Sequence, residues 1–401
     1  MKRTTPNGEG SHFSHRRAVS SRKWLFCVMT GLGVVFCITW FWPRPVEPVH
    51  EGRTFSEWQA EAQSPDPTIR SNAWRAIEQM GPAALPYLEA RLGSPNLIAH
   101  ELRSKARGWV PELVRRKIRP WIPKESNDQQ RLQAIQGMKM LGTNASEALP
   151  ILSKAIYDPS PMVSLGAFNA LGDLGGVAVP VLREALKRDD PRIRMSAASA
   201  LGQMGTNAAE AIPELIELLQ TSGPLGANVA YSLAKMSPLS IEPLAVAALH
   251  TNSNSSQMAL LGLRHVGKAA SNHLGVVIAK AGDTNPYVRA IALEAIGIIG
   301  NGGPYGEIFE RALRDTNEVV VDAALQSLTR VELKSSIAPL LADLLRHERE
   351  HVRLFALLGL NKLGKAAAPY ELQIQALQHD HNWSVRNSAT QALEKIRSSR
   401  P

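Results

Sequence analysis

Apolar and small residues recur along this chain at helical spacing, in blocks of about 32 residues that run from near Ser64 to the C-terminus. In one block, Ile193, Ala197, Ala200, Leu201 and Met204 fall on one face of a 3.6-residue helix. Leu215, Ile216, Leu218 and Leu219 then form a second, leucine-rich stripe. Between the stripes stand Gly205 and Pro213. Glycine suits the left-handed position past a helix end, and proline is tolerated in a first helical turn. The pattern predicts two antiparallel helices per block, A and B, with the glycine ending A and the proline opening B. The same punctuation recurs at Gly81, Gly142, Gly175, Gly267, Gly300 and Gly364, and at Pro86, Pro150, Pro180, Pro243, Pro304, Pro339 and Pro369.

With Arg194 as a reference slot, the equivalent positions are Arg70, Arg131, Ser164, Gly226, Ser256, Arg289, Val321, Arg353 and Arg386. The step from Arg70 to Arg131 spans two periods, so a degenerate repeat is expected around Asn96–Ile118. An Asp or Asn precedes many slots: Asp158, Asn252, Asp283, Asp315 and Asp380. Such residues favour turns and helix N-caps, where their oxygens accept free backbone N–H groups. The arginine row is expected to pair with these aspartates, within or between repeats, as a structural ladder. Self-similarity at this period means a stacked solenoid in which each repeat buries its face against its neighbours.

The Asp-x-x-x-x-Val-Arg … Ala-Leu-Gly-x-x-Gly pattern resembles the HEAT repeat family, in particular its bacterial phycobilin-lyase-type HEAT-like repeats. The resemblance covers about Thr54 to Ser399. It implies an all-α solenoid of about ten or eleven helix pairs. It further implies a scaffold that holds a protein partner along a concave wall lined by one helix per repeat. Fold alone does not carry function.

Outside the repeats lies Trp24–Trp42, an uncharged apolar stretch long enough to cross a bilayer, with tryptophans at both ends. The first 23 residues hold six Lys/Arg against one acid, Glu9. The positive-inside rule therefore predicts a cytoplasmic, disordered tail, a single-pass anchor, and an extracytoplasmic solenoid, periplasmic in a bacterium. Residues 43–53 read as a proline-rich spacer. Both cysteines, Cys27 and Cys37, fall inside the span, so the exported part needs no disulfide. Much of the formal net charge of +9 sits in the tail; the basic pI is a topology signal, and no nucleic-acid partner is expected.

Candidate chemistry is sparse. Arg103, Lys105, Arg107, Arg115, Arg116, Lys117 and Arg119, interleaved with Trp109 and Trp121, form a basic patch. It could meet anionic lipid or an envelope polymer, or be a solvated helix face. His347-Glu348-Arg349-Glu350-His351 matches the letters of the zincin signature. The repeat register puts His347 at a turn, though, and no third ligand is evident. The HEAT-type hydroxylases bind di-iron through paired His-Glu motifs. Here His50-Glu51, His100-Glu101 and His347-Glu348 lack that symmetry. Bilin lyases act on cytosolic antenna proteins, which fits an exported solenoid poorly. No phosphate loop, nucleophile elbow or cofactor motif is present, so binding is favoured over catalysis.

Overall fold

The computed structural model describes residues 45–93, 128–221, 225–300 and 305–398. The chain divides into two compact units, Met1–Glu47 and Pro48–Pro401, and all the regular structure described lies in the second. The span expected at 24–42, the basic patch at 103–124 and Pro304 lie outside the described residues.

The second unit opens with a hairpin, β1 (Val49–His50) against β2 (Arg53–Thr54), and a short helix α1 (Phe55–Glu61). Helix pairs follow: α2 (Pro67–Met80) with α3 (Leu85–Leu92), α4 (Asp128–Lys139) with α5 (Leu149–Ala155), and α6 (Pro161–Leu174) with α7 (Val179–Leu186). The next are α8 (Pro191–Met204) with α9 (Ile212–Thr221), α10 (Gly226–Lys235) with α11 (Ile241–Ala248), and α12 (Ser253–Val266) with α13 (Leu274–Lys280). The last are α14 (Pro286–Ile299) with α15 (Gly306–Ala312), α16 (Glu318–Ser327) with α17 (Ala338–Leu344), and α18 (Glu350–Leu363) with α19 (Glu371–Ala376). A final helix, α20 (Trp383–Ser398), closes the series. The first member of each pair is the A helix, the second the shorter B helix.

Local chemistry explains the boundaries. Asp66, Asp190, Asn252, Asn285 and Asn317 cap A helices by accepting N–H groups of the first turn, and Pro67, Pro191 and Pro286 open the helices behind their caps. At the other end the chain must reverse within one turn. Gly205 does this at φ 58°, a conformation a Cβ would oppose, and a 3-10 segment, Gly205–Ala211, leads into α9. Gly300 departs from the expected scheme. Its φ is −70°, ordinary right-handed backbone, and the reason for glycine is room: a Cβ there would lie 2.7 Å from the Ile296 carbonyl and 2.4 Å from the Tyr305 ring.

The 43–53 spacer also differs from expectation. Its second half folds back, with Glu51 at φ 50° and Gly52 at φ 74° making the two-residue turn between β1 and β2. Trp58 Nε1 donates to the His50 carbonyl at 3.0 Å and holds the hairpin against α1.

A single hydrophobic cluster runs from Phe55 to Ile396. From α4 onward each A helix packs on the next A helix, and each B helix packs on the A helix that follows it. Small residues set the spacing. A Cβ on Gly202 of α8 would lie 2.8 Å from the Ser232 Cα of α10, so those two helices touch backbone to backbone. A Cβ on Gly262 of α12 would lie 2.8 Å from Leu244 of α11, which fills the notch. Pro161–Leu186 is apolar enough by length and hydropathy to cross a membrane. It is instead an A–B pair broken at Gly175, with Phe168, Leu171 and Leu182 in the core.

Candidate protein-binding face

The arginine row organises the A-helix starts. Arg353 Nη1 donates to the His347 and Glu348 carbonyls, both at 2.8 Å, closing the turn before α18. Its Nε and Nη2 reach forward to the two Asp380 carboxylate oxygens at 2.8 and 3.0 Å, a bidentate clasp on the next repeat. Arg289 repeats the arrangement: Nη1 to the Asp283 and Thr284 carbonyls, Nε and Nη2 to Asp315 at 2.9 and 2.8 Å. Arg131 likewise donates to Asp158 in the following repeat, and to Asp128 in its own helix. The carboxylates have a second duty. Asp380 and Asp315 each accept the N–H two residues on, from Asn382 and Asn317, and so set those residues to cap α20 and α16. Burial alone would raise the Asp315 and Asp380 carboxyls. The facing arginine and the accepted N–H outweigh it and hold both below the ordinary carboxylate value.

Other slots keep only half the device. Arg70, Arg194 and Arg386 donate to the carbonyls of Ser64, Arg188 and Asp380, six residues back. Where serine stands in the slot, Ser164 and Ser256 cap carbonyls eight residues back instead. The row thus faces the turns: Arg131, Arg289 and Arg353 join repeats, while Arg70, Arg194 and Arg386 close the turn before their own helix.

The zincin-like letters do not make a metal helix. His347 sits in the turn, where its Nδ1 accepts the Arg349 N–H at 3.1 Å; α18 begins only at Glu350. His351 lies instead 3.5 Å from Asp322 of α16. Among the described residues no cluster of His, Cys, Asp and Glu suits a metal ion.

The surface that could receive a partner is a different one. Counting from the slot, positions −2, +1 and +5 of an A helix share the face away from the B helices. On the central repeats that face carries Met162, Leu165, Met195 and Tyr231, with Tyr287 and Val319 beyond; all are exposed, Met162 at 58%. The row is continuous between repeats: Asn228 Nδ2 contacts Met195 Sδ at 3.4 Å, and Tyr231 meets His265 of α12 edge-on. Lys235 lies over the Tyr231 ring. Burial, and then the nearby Arg264 charge, push the His265 imidazole below its ordinary value and favour its neutral form. Cross-repeat ion pairs flank this stretch, Lys139 with Asp173 on one side and Arg264 with Glu294 on the other. The buried stripe dominates the periodicity of the sequence and masks this one. Its signal was available as Met162, Leu165, Met195 and Tyr231 at offsets where a solvated face needs no apolar residue.

A series of A–B pairs, each packed on the next, defines an α-solenoid. Residues 177–234 and 306–394 match the HEAT repeat family. No curated protein matches the chain. Among solved structures, Kap121p superposes with a TM-score of 0.56 at 12% identity, over 86% of this chain and 42% of that one. Kap121p bound to Nup53p gives 0.56 at 12% identity, covering 87% and 42%. Kap121p bound to the extreme C-terminus of the phosphatase Cdc14p gives 0.55 at 12%, again 87% and 42%. The chain therefore spans less than half the length of Kap121p, and the likeness at this identity is one of fold.

Proposed function

We propose that this chain is a HEAT-repeat scaffold that binds a segment of a partner protein along the A-helix face centred on Met162, Leu165, Met195 and Tyr231. One observation carries the reading: among the described residues most of the large exposed apolar side chains within the helices lie on the A row, while the B helices expose Val246 and Leu372 and are bridged by pairs such as Arg183–Glu214. Methionine and tyrosine supply adaptable, low-entropy contact area, which suits a partner held by many modest contacts. Kap121p is known bound to Nup53p and to the extreme C-terminus of Cdc14p, and this adds support by analogy of fold alone. We further propose that residues 24–42 anchor the scaffold in a membrane with the repeats on the extracytoplasmic side.

Photo-crosslinking residues placed singly at Met195 and Tyr231, with Glu184 on a B helix as control, test the first part in cells. One protein captured from both A positions and not from Glu184 is the expected result. Equal capture from all three, or none from the A positions, overturns the choice of face. Protease accessibility on intact and permeabilised cells tests the second part; repeats cleaved only after permeabilisation of the inner membrane refute the proposed topology.

A further inference from the structure

A cleft of about 650 Å³ opens at the N-terminal end of the solenoid, between the β1–β2 hairpin, α1 and α2. Its floor is Ala76, six residues after the Arg70 slot. The equivalent residue in later repeats, Ala200, Ser232 or Ser327, is covered by the preceding A helix at Gly172, Gly202 or Gly297. In the first described repeat the hairpin and α1 stand in for that helix and leave space beside it. The volume is in the range of small-ligand clefts rather than of a helix groove.

The walls are largely polar; Arg53 and Trp58 are engaged by Glu61 and the His50 carbonyl, but other donors are unspent. Arg75 and Asn72 project from α2 into the cleft and have no hydrogen-bond or ion-pair partner among the described residues. His50 Nε2 is shielded from water and lacks a hydrogen bond; the nearest carboxylate oxygen, on Glu51, is 3.9 Å away. A shielded ring nitrogen without a partner costs free energy that a ligand would recover. Of the two acidic wall residues, Glu61 is already engaged by Arg53, whose guanidinium also lies over the Trp58 ring at 4.9 Å, and Glu51 is the exposed carboxylate beside His50. The hairpin that carries His50 turns through Glu51 at φ 50°, a left-handed position that is strained for a residue with a Cβ. Strain held at the lip of a cleft with an orphaned donor is the pattern of a site and not of a mere end cap.

We propose that this cleft binds a small oxyanion-bearing ligand, a phosphate or carboxylate group, between Arg75 and His50. The proposal is independent of the A-face reading, since none of its residues lies on the central repeats. Inorganic phosphate and citrate are the probes, titrated calorimetrically into the full chain and into Arg75→Ala and His50→Gln. Arg75 is exposed, so its loss leaves the fold intact, and the melting temperature of each variant checks this. The expected result is saturable binding of one probe, weakened roughly tenfold by Arg75→Ala, the loss of one charge-assisted contact. His50→Gln, which keeps a side-chain donor, should weaken it less than His50→Ala. Preference for phosphate or for citrate then identifies the oxyanion. No binding of either probe, or binding that is unchanged in a folded Arg75→Ala variant, overturns the proposal.

Discussion

Replacing Arg353 with alanine removes four hydrogen bonds at once, two to the Asp380 carboxylate and two to the carbonyls of His347 and Glu348. Both side chains of the ion pair are mostly buried, 15% and 7% exposed, so water replaces the lost partners poorly. A hydrogen bond to a charged group contributes about 1.5–3 kcal/mol net, and the bonds of one guanidinium are not additive. Arg353→Ala should therefore cost about 3 kcal/mol, with a coupling of about 2 kcal/mol to Asp380→Ala in a double-mutant cycle. Asp380→Asn should cost less than Asp380→Ala, because an amide oxygen can still accept the Asn382 N–H that sets the cap of α20. A solenoid is stabilised repeat by repeat, so the loss should be local. Hydrogen exchange read peptide by peptide is the assay. Amides of α20 should exchange about a hundredfold faster in Arg353→Ala, while those of α6 and α8 keep their rates. Equal acceleration along the whole chain, or strictly additive single-mutant costs, would refute the idea of a pairwise clasp between adjacent repeats.

Three further expectations follow from the same contacts. Asp283, Asp315 and Asp380 have folded-state values below the ordinary 3.8; their contribution is complete above that value and is lost as pH falls through the lower folded values, so urea midpoints should drop below about pH 4 and drop less in Asp380→Asn. Gly202→Ala should destabilise by about 1–3 kcal/mol because its Cβ would meet the Ser232 Cα, whereas Gly297→Ala, whose nearest neighbour is the Ser327 side chain at 3.0 Å, should be near neutral after the gain in helix propensity; thermal melts separate the two. Zinc added to the purified chain should leave its melting curve unchanged, and a stabilisation abolished by His347→Ala would contradict the turn geometry at that residue.

The repeat frame was legible in the sequence because each of its marks answers a backbone requirement: a cap at Asp190, a reversal at Gly205, a helix start at Pro213. The forward reach of Arg353 was half legible. Arginine and aspartate announced a ladder, but which repeat each arginine meets depends on how the A helices stack. Gly300 shows the opposite limit, since glycine stands there for the Tyr305 ring, a tertiary neighbour that punctuation cannot reveal. The hairpin at Glu51 was hidden by its proline-rich surroundings and by a non-glycine residue in a left-handed turn. The N-terminal cleft was not legible at all: it exists because the repeat ends there, and periodicity describes only what continues.

The backbone-to-backbone contact of Gly202 with Ser232 has a mechanical consequence. Neighbouring A helices meet through short side chains with nothing to compress, while B helices are joined across repeats by long, jointed ones such as Arg183 and Glu214. Such an assembly bends as a bound book does. The A row is the spine and keeps its length; the B row is the fore-edge, whose leaves can fan apart while their tethers extend. A ligand lying along the spine would then find constant spacing from one repeat to the next, whatever the curvature of the moment.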